Sequence, residues 1–112
     1  MKACIIFILS TLFSFNVFSA CSKIGCIGAG KDVLISVYPN SSGNIYLQAG
    51  VGREQLDCKL VEGHYMVLKA THPAFESVYS TVLTALASQK KLMVRIVNGS
   101  PNCEVSYVRM YM

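Results

Sequence analysis

The chain has 112 residues, 53% of them apolar and 14% charged, which suits one small folded domain and excludes a disordered, highly charged segment. Ten Lys and Arg against six Asp and Glu give a net charge of +4. The cations are dispersed as Lys23, Lys31, Arg53, Lys59, Lys69, Lys90, Lys91, Arg95 and Arg109, without the clustering that a nucleic-acid surface requires.

Residues 1–20 predict an export signal. Lys2 supplies the positive start, CIIFIL and Leu12-Phe13 an apolar stretch, and Ser19-Ala20 the small residues a signal peptidase accepts, with cleavage after one or the other. Ser10, Thr11, Ser14 and Asn16 interrupt the run short of the roughly 20 apolar residues a membrane span needs. The mature protein is therefore expected to be secreted or periplasmic and not inserted in a membrane. Loss of Lys2 leaves nine cations against six acids, +3. Phe18-Ser19-Ala20-Cys21 also loosely resembles a lipobox, the alternative being acylation on Cys21.

Four of the five cysteines, Cys21, Cys26, Cys58 and Cys103, lie beyond the signal. Their spacing fits no zinc pattern, so disulfides are expected, in one of three pairings. Residues 21–31 hold Gly25, Gly28 and Gly30 and predict a flexible lead-in, with residues 32–112 as the folded domain.

The β-branched run DVLISVY at 32–38 predicts a strand, PNSSGN at 39–44 a turn, and 45–49 a second strand. Residues 55–61 alternate, with Leu56, Cys58 and Leu60 opposite Gln55, Asp57 and Lys59, and predict a third. An extended piece follows at 65–69. Thr71-His72-Pro73 starts a helix whose stripe is Phe75, Val78, Tyr79, Val82, Leu83 and Leu86, and Lys90-Lys91 at its end complement its dipole. Residues 92–97 and 104–111 predict the last two strands, around a turn at 98–102.

Three strands, a helix and a closing hairpin predict a mostly β, α+β fold: a five-stranded OB-fold barrel with its helix between strands three and four. In that layout Cys58, on the inner face of strand three, approaches Cys103 at the start of the last strand, which leaves Cys21 to Cys26. The helix sequence YSTVLTA followed by KKLMVR, then a turn with a cysteine, resembles a set of short exported, mostly uncharacterised bacterial proteins. More distantly, the layout is similar to the B subunits of subtilase cytotoxin and typhoid toxin. Those subunits are OB-folds that assemble as pentamers and bind sialylated glycans; the resemblance implies an OB-fold binding module, and their glycan specificity is not carried over.

An enzyme is not expected. His64 and His72 are the only histidines, the cysteines are taken by disulfides, and the carboxylates Asp32, Asp57, Glu62, Glu76 and Glu104 are scattered. No cofactor or metal is implied. The OB-fold ligand face would carry Tyr46 and Gln48 on strand two, Asp57 and Lys59 on strand three, Arg53 in the loop between them, and the turn 40–44 at its edge. A tyrosine beside amide and basic groups suits a sugar ring or an acidic glycan. Tyr107, Tyr111 and Arg109 on the last strand suit a subunit interface of a homo-oligomer. The expected function is an exported binding module for a glycan or protein partner, with no nucleic-acid role. The alternative is a monomeric periplasmic accessory or inhibitor protein.

Overall fold

A computed structural model of the chain describes residues 19–112, so the export signal expected at the start falls, up to residue 18, outside the described residues. Six strands and one long helix follow in the order β1 (Gly25–Gly28), β2 (Leu34–Pro39), β3 (Ile45–Ala49), β4 (Tyr65–Leu68), α1 (Phe75–Ser88), β5 (Leu92–Ile96) and β6 (Val105–Met110). They form two antiparallel three-stranded sheets, ordered β1-β5-β6 and β2-β3-β4.

The alternation of each strand decides which side chains meet between the sheets. Ile45, Leu47 and Ala49 of β3 are buried, as are Met66 and Leu68 of β4 and Leu92, Val94 and Ile96 of β5. The residues that alternate with them, Tyr46 and Gln48 or Met93 and Arg95, face outward on the same strands. Val33, Leu34, Leu56, Val78, Val82, Ala85 and Val105 complete this core.

The expected five-stranded barrel is replaced by six strands in two open sheets, and the reason lies at the start of the domain. Residues 21–31 are not a flexible lead-in. Cys21 and Cys26 are buried at 2% and 0% exposure, and β1 pairs with β5 through Gly25↔Arg95 to Gly28↔Leu92. Gly25 permits this approach, since a Cβ there would collide with the Val94 carbonyl oxygen. A short 3-10 turn at Gly30–Asp32, with Gly30 at φ 54°, then interrupts the strand. Past it β2 joins the other sheet, from Leu34↔Ala49 to Pro39↔Ile45. The sheets also touch through one parallel bridge, Val67↔Glu104, where the Val67 N–H donates to the Cys103 carbonyl at 3.0 Å.

Residues 55–61 do not form the expected third strand. Their backbone is spent on loops: Asp57 N–H donates to the Lys23 carbonyl at 3.0 Å and Lys59 N–H to the Ser100 carbonyl at 3.1 Å. The third strand of the meander is β4, the piece read only as extended. The helix therefore stands between the fourth and fifth strands of six.

On α1, Val78, Val82 and Ala85 are buried, whereas Leu83 is 43% exposed. At about 100° per residue, Leu83 sits about 100° around the axis from Val82 and about 160° from Ala85. It belongs to the solvent side, and the expected stripe was one residue too wide. Ile35 is 47% exposed, where β2 bulges between Leu34 and Ser36. The helix stops at Gln89, whose φ of 56° closes it with an N–H to the Ala85 carbonyl. Lys90 and Lys91 lie past this cap, and Lys91 instead sits 5.1 Å from the ring centre of Tyr111.

Two disulfides, Cys21–Cys26 and Cys58–Cys103, cross-link the domain. They fit an oxidising, extracellular or periplasmic environment. An acyl chain on Cys21 and the first of these bonds exclude each other. Among the described residues no helix is long and apolar enough to cross a membrane.

Candidate functional site

The outward face of the β2-β3-β4 sheet is tiled with tyrosines. Register places Tyr38 of β2 opposite Tyr46 of β3, and Tyr65 of β4 opposite Gln48. Tyr46 and Tyr65 lie nearly parallel, 5.7 Å between ring centres, and Tyr38 stands edge-on to both at 5.3 and 5.6 Å. Edge-to-face and offset contacts of this kind set the positive ring edge against a negative face and hold the rings in place without a hydrophobic cover. All three rings keep solvent access; Tyr38 is 38% exposed.

Polar groups border the rings. Ser36 Oγ donates to Gln48 Oε1 at 2.9 Å, which fixes the amide and turns its NH2 group to ligand or water. At one end the turn 61–65 brings Glu62 and His64 up, with the His64 ring 6.1 Å from that of Tyr65. Glu62 and Gly63 have φ of 54° and 75°, and His64 N–H closes the turn on the Val61 carbonyl at 3.0 Å. This is a type I′ geometry, costly for a glutamate. At the other end Asn40 Oδ1 accepts from Ser42 N, Ser42 Oγ and Asn44 N, which locks the turn 40–44. Partial desolvation, then the phenol of Tyr65, then the Glu62 carboxylate raise the Tyr38 hydroxyl above its ordinary 10.0, so Tyr38 stays a neutral donor at physiological pH.

Of the residues expected on one ligand face, Tyr46 and Gln48 share β3, whereas Arg53 and Lys59 lie outside the strands. Arg53 is half-buried in a 3-10 turn, where its Nη1 donates to the Ala49 carbonyl at 3.4 Å. Lys59 is exposed on the segment tied to the β5–β6 turn through Ser100, and Asp57 Oδ2 there accepts from Asn98 Nδ2 at 3.1 Å. Tyr38, Tyr65 and Glu62 were not singled out. Placing 65–69 as the third strand would have found Tyr65 through its period-two relation to Val67 and Lys69.

The opposite sheet has a different outer face. Register sets Arg95 beside Tyr107 and Met93 beside Arg109 on β5 and β6, with Ile27 of β1 opposite Met93. Next to them is a recess of about 220 Å³ lined by Ile24, Ile27, Met93 and Arg95 among others. The one ion pair among the described residues, Lys69 with Glu104, lies on neither arginine. His72, expected only to start the helix, has a defined role. Its Nδ1 accepts from Ala74 N–H at 3.0 Å, so its Nε2 carries the proton and donates to the Ser106 carbonyl at 2.7 Å. It ties the start of α1 to the edge of β6. Among the described residues no three His, Cys, Asp or Glu side chains are grouped to hold a metal ion. Compared with protein-family models, curated proteins and solved structures, the chain matches none.

Proposed function

We propose that this chain is a small exported binding module that recognises a glycan through the Tyr38–Tyr46–Tyr65 face. The observation that carries the reading is the cluster itself: three ordered, solvent-accessible phenol rings on a rigid sheet, bordered by the Gln48 amide. Rigid aromatics give a large contact area at low entropy cost and stack on the apolar face of a pyranose, while amide and hydroxyl groups meet its edge. The toxin-B-subunit resemblance is consistent with this use. Support for an OB-like arrangement comes from the chain path: β1 and β2 are consecutive, broken only by the 3-10 turn, and β4 meets the start of β6 in parallel. A glycan array probed with the mature protein tests the reading. Tyr46→Ala should abolish the signal while the protein stays folded, and an unchanged signal would refute it.

A second reading has its own observation. Arg95, Arg109, Tyr107 and Met93 on the other face, beside the recess at Ile24, are residue types enriched in protein interfaces. They favour a protein contact, either between copies of this chain or with a separate target of a monomeric accessory or inhibitor protein. Native mass in solution separates the two: an oligomer that Arg109→Glu dissociates assigns the face to self-assembly, and a monomer assigns it to another protein.

A further inference from the structure

The outer strand of a sheet exposes a row of backbone N–H and C=O groups, and folded proteins cover or blunt that row. Three of the four outer strands here are managed. β1 is covered by residues 20–22, where Ile27 N–H donates to the Ala20 carbonyl and Ser22 N–H to the Gly25 carbonyl, both at 2.8 Å. β4 is covered by Val61 and Cys103, whose carbonyls accept from Tyr65 N–H and Val67 N–H at 3.0 Å. β2 is blunted by its bulge at one end and at the other by Pro39, which has no N–H. β6 is left open. Tyr111 N–H donates to the Lys91 carbonyl, so in this antiparallel ladder Tyr107 and Arg109 bond toward β5, while Ser106, Val108 and Met110 turn their backbone groups away from it. The His72 imidazole takes up the Ser106 carbonyl. The N–H and C=O of Val108 and Met110 have no partner among the described residues, and both residues keep solvent access.

Charge decides what fits this edge. Arg109 is exposed on the outer face, and neither it nor Arg95, which lies opposite Tyr107, has an ion pair among the described residues. A strand that bonds to both Val108 and Met110 sets its intervening residue directly opposite Arg109. A second copy of β6, paired antiparallel through both residues, would bring its own Arg109 there, a like-charge pair that destabilises the ladder. An acidic side chain at that position forms a cross-strand ion pair instead. The residues on either side of it turn to the other face, where Val108 and Met110 and, on the helix, Phe75 and Tyr79 are only partly buried, which suits apolar side chains. We propose that β6 docks an extended segment of another protein by strand addition, with an acidic residue opposite Arg109 and an apolar residue on each side of it. This rests on the reading of the β1-β5-β6 face as a protein-contact surface and names the chemistry of the partner.

The test uses the mature protein with three end-blocked peptides: alternating valine and glutamate, its lysine counterpart, and the glutamate peptide N-methylated at its valines. In NMR titration the glutamate peptide should bind about fivefold tighter than the lysine one, the scale of one favourable against one unfavourable cross-strand charge pair. The N-methylated peptide should not bind. Hydrogen exchange at the Val108 and Met110 amides should be fast in the free protein and slow once the glutamate peptide saturates it. Arg109→Glu, shown to be folded by its amide spectrum, should reverse the preference. Protection of both amides that rises with protein concentration, without peptide binding, would give the edge to a second copy; the inference falls and the protein-contact reading stands. Peptide binding that leaves both amides exchanging as before refutes strand addition alone, and so does a monomer that binds no peptide. Binding that maps away from β5 and β6 and ignores Arg109→Glu would overturn the inference and the contact reading together.

Discussion

Removing each disulfide in turn gives a quantitative test of the fold, because the two close loops of very different length. Cys58 and Cys103 are 45 residues apart, and Cys21 and Cys26 only 5. The loop-entropy relation gives about 4 kcal/mol for the long loop and about 2 kcal/mol for the short one. Cys26 and Cys103 are both fully buried, so replacing either with alanine leaves a similar small void, and the difference of about 2 kcal/mol survives the comparison. A domain of roughly 90 residues has a net stability of about 5–14 kcal/mol. The paired change Cys58→Ala with Cys103→Ala therefore takes away a third or more of it in the middle of that range, and Cys21→Ala with Cys26→Ala about half as much. Urea unfolding followed by near-ultraviolet circular dichroism, without reductant, measures both. Equal losses, or a larger loss from the short loop, would refute the reasoning. So would a non-reducing peptide map that joins Cys58 to Cys21 or Cys26.

Three further outcomes are expected. Val82→Ala, at a position with 0% exposure, should cost about 2 kcal/mol and lower Tm by about 10 °C, whereas Leu83→Ala should stay within about 0.5 kcal/mol; thermal unfolding of the pair decides the helix register. His72→Ala should cost about 1–2 kcal/mol by removing bonds to Ala74 and Ser106, and nitrogen NMR of the wild-type ring should show the proton on Nε2; a proton on Nδ1 would refute the link. Because the Tyr38 hydroxyl is raised above 10.0, its contribution is complete below the unfolded value and is lost as pH climbs through the folded one. Stability measured across pH 9–12 should therefore fall less steeply in Tyr38→Phe than in the wild type.

How much of this was legible depended on whether local pattern and long-range pairing agreed. Ile45, Leu47 and Ala49 alternate with Tyr46 and Gln48, and β3 falls where that alternation puts it. The same period-two pattern at Leu56, Cys58 and Leu60 misled, because Cys58 is bonded to Cys103 and the neighbouring amides pair with Lys23 and Ser100, contacts 34 to 45 residues away in sequence. The short run 65–68 has too few residues for its period to be distinctive, yet it is the strand that carries Tyr65. On the helix, spacing alone admits both Val82 and Leu83; only packing against β5 and β6 decides that the small Ala85, not Leu83, is buried. The site was half legible for the same reason: Tyr46 and Gln48 sit on a strand the pattern identifies, and Tyr65 on one it does not.

The pairing of β1 with β5 also fixes the order in which the molecule can be built. Gly25 lies against Arg95, so the first strand finds its partner only after some 70 further residues exist. The hairpins β2-β3 and β3-β4 have no such wait. As a chain lengthens from its N-terminus, the tyrosine sheet can form first, while β1 and the unpaired Cys58 await the C-terminal third. In that interval Cys58 is nearer in sequence to Cys26 than to Cys103, and three thiols stand exposed to wrong exchange. The five-residue Cys21–Cys26 closure is available at once. By withdrawing two competitors early, it leaves Cys58 a single partner, so the weaker cross-link acts as a chaperone in the making of the stronger one.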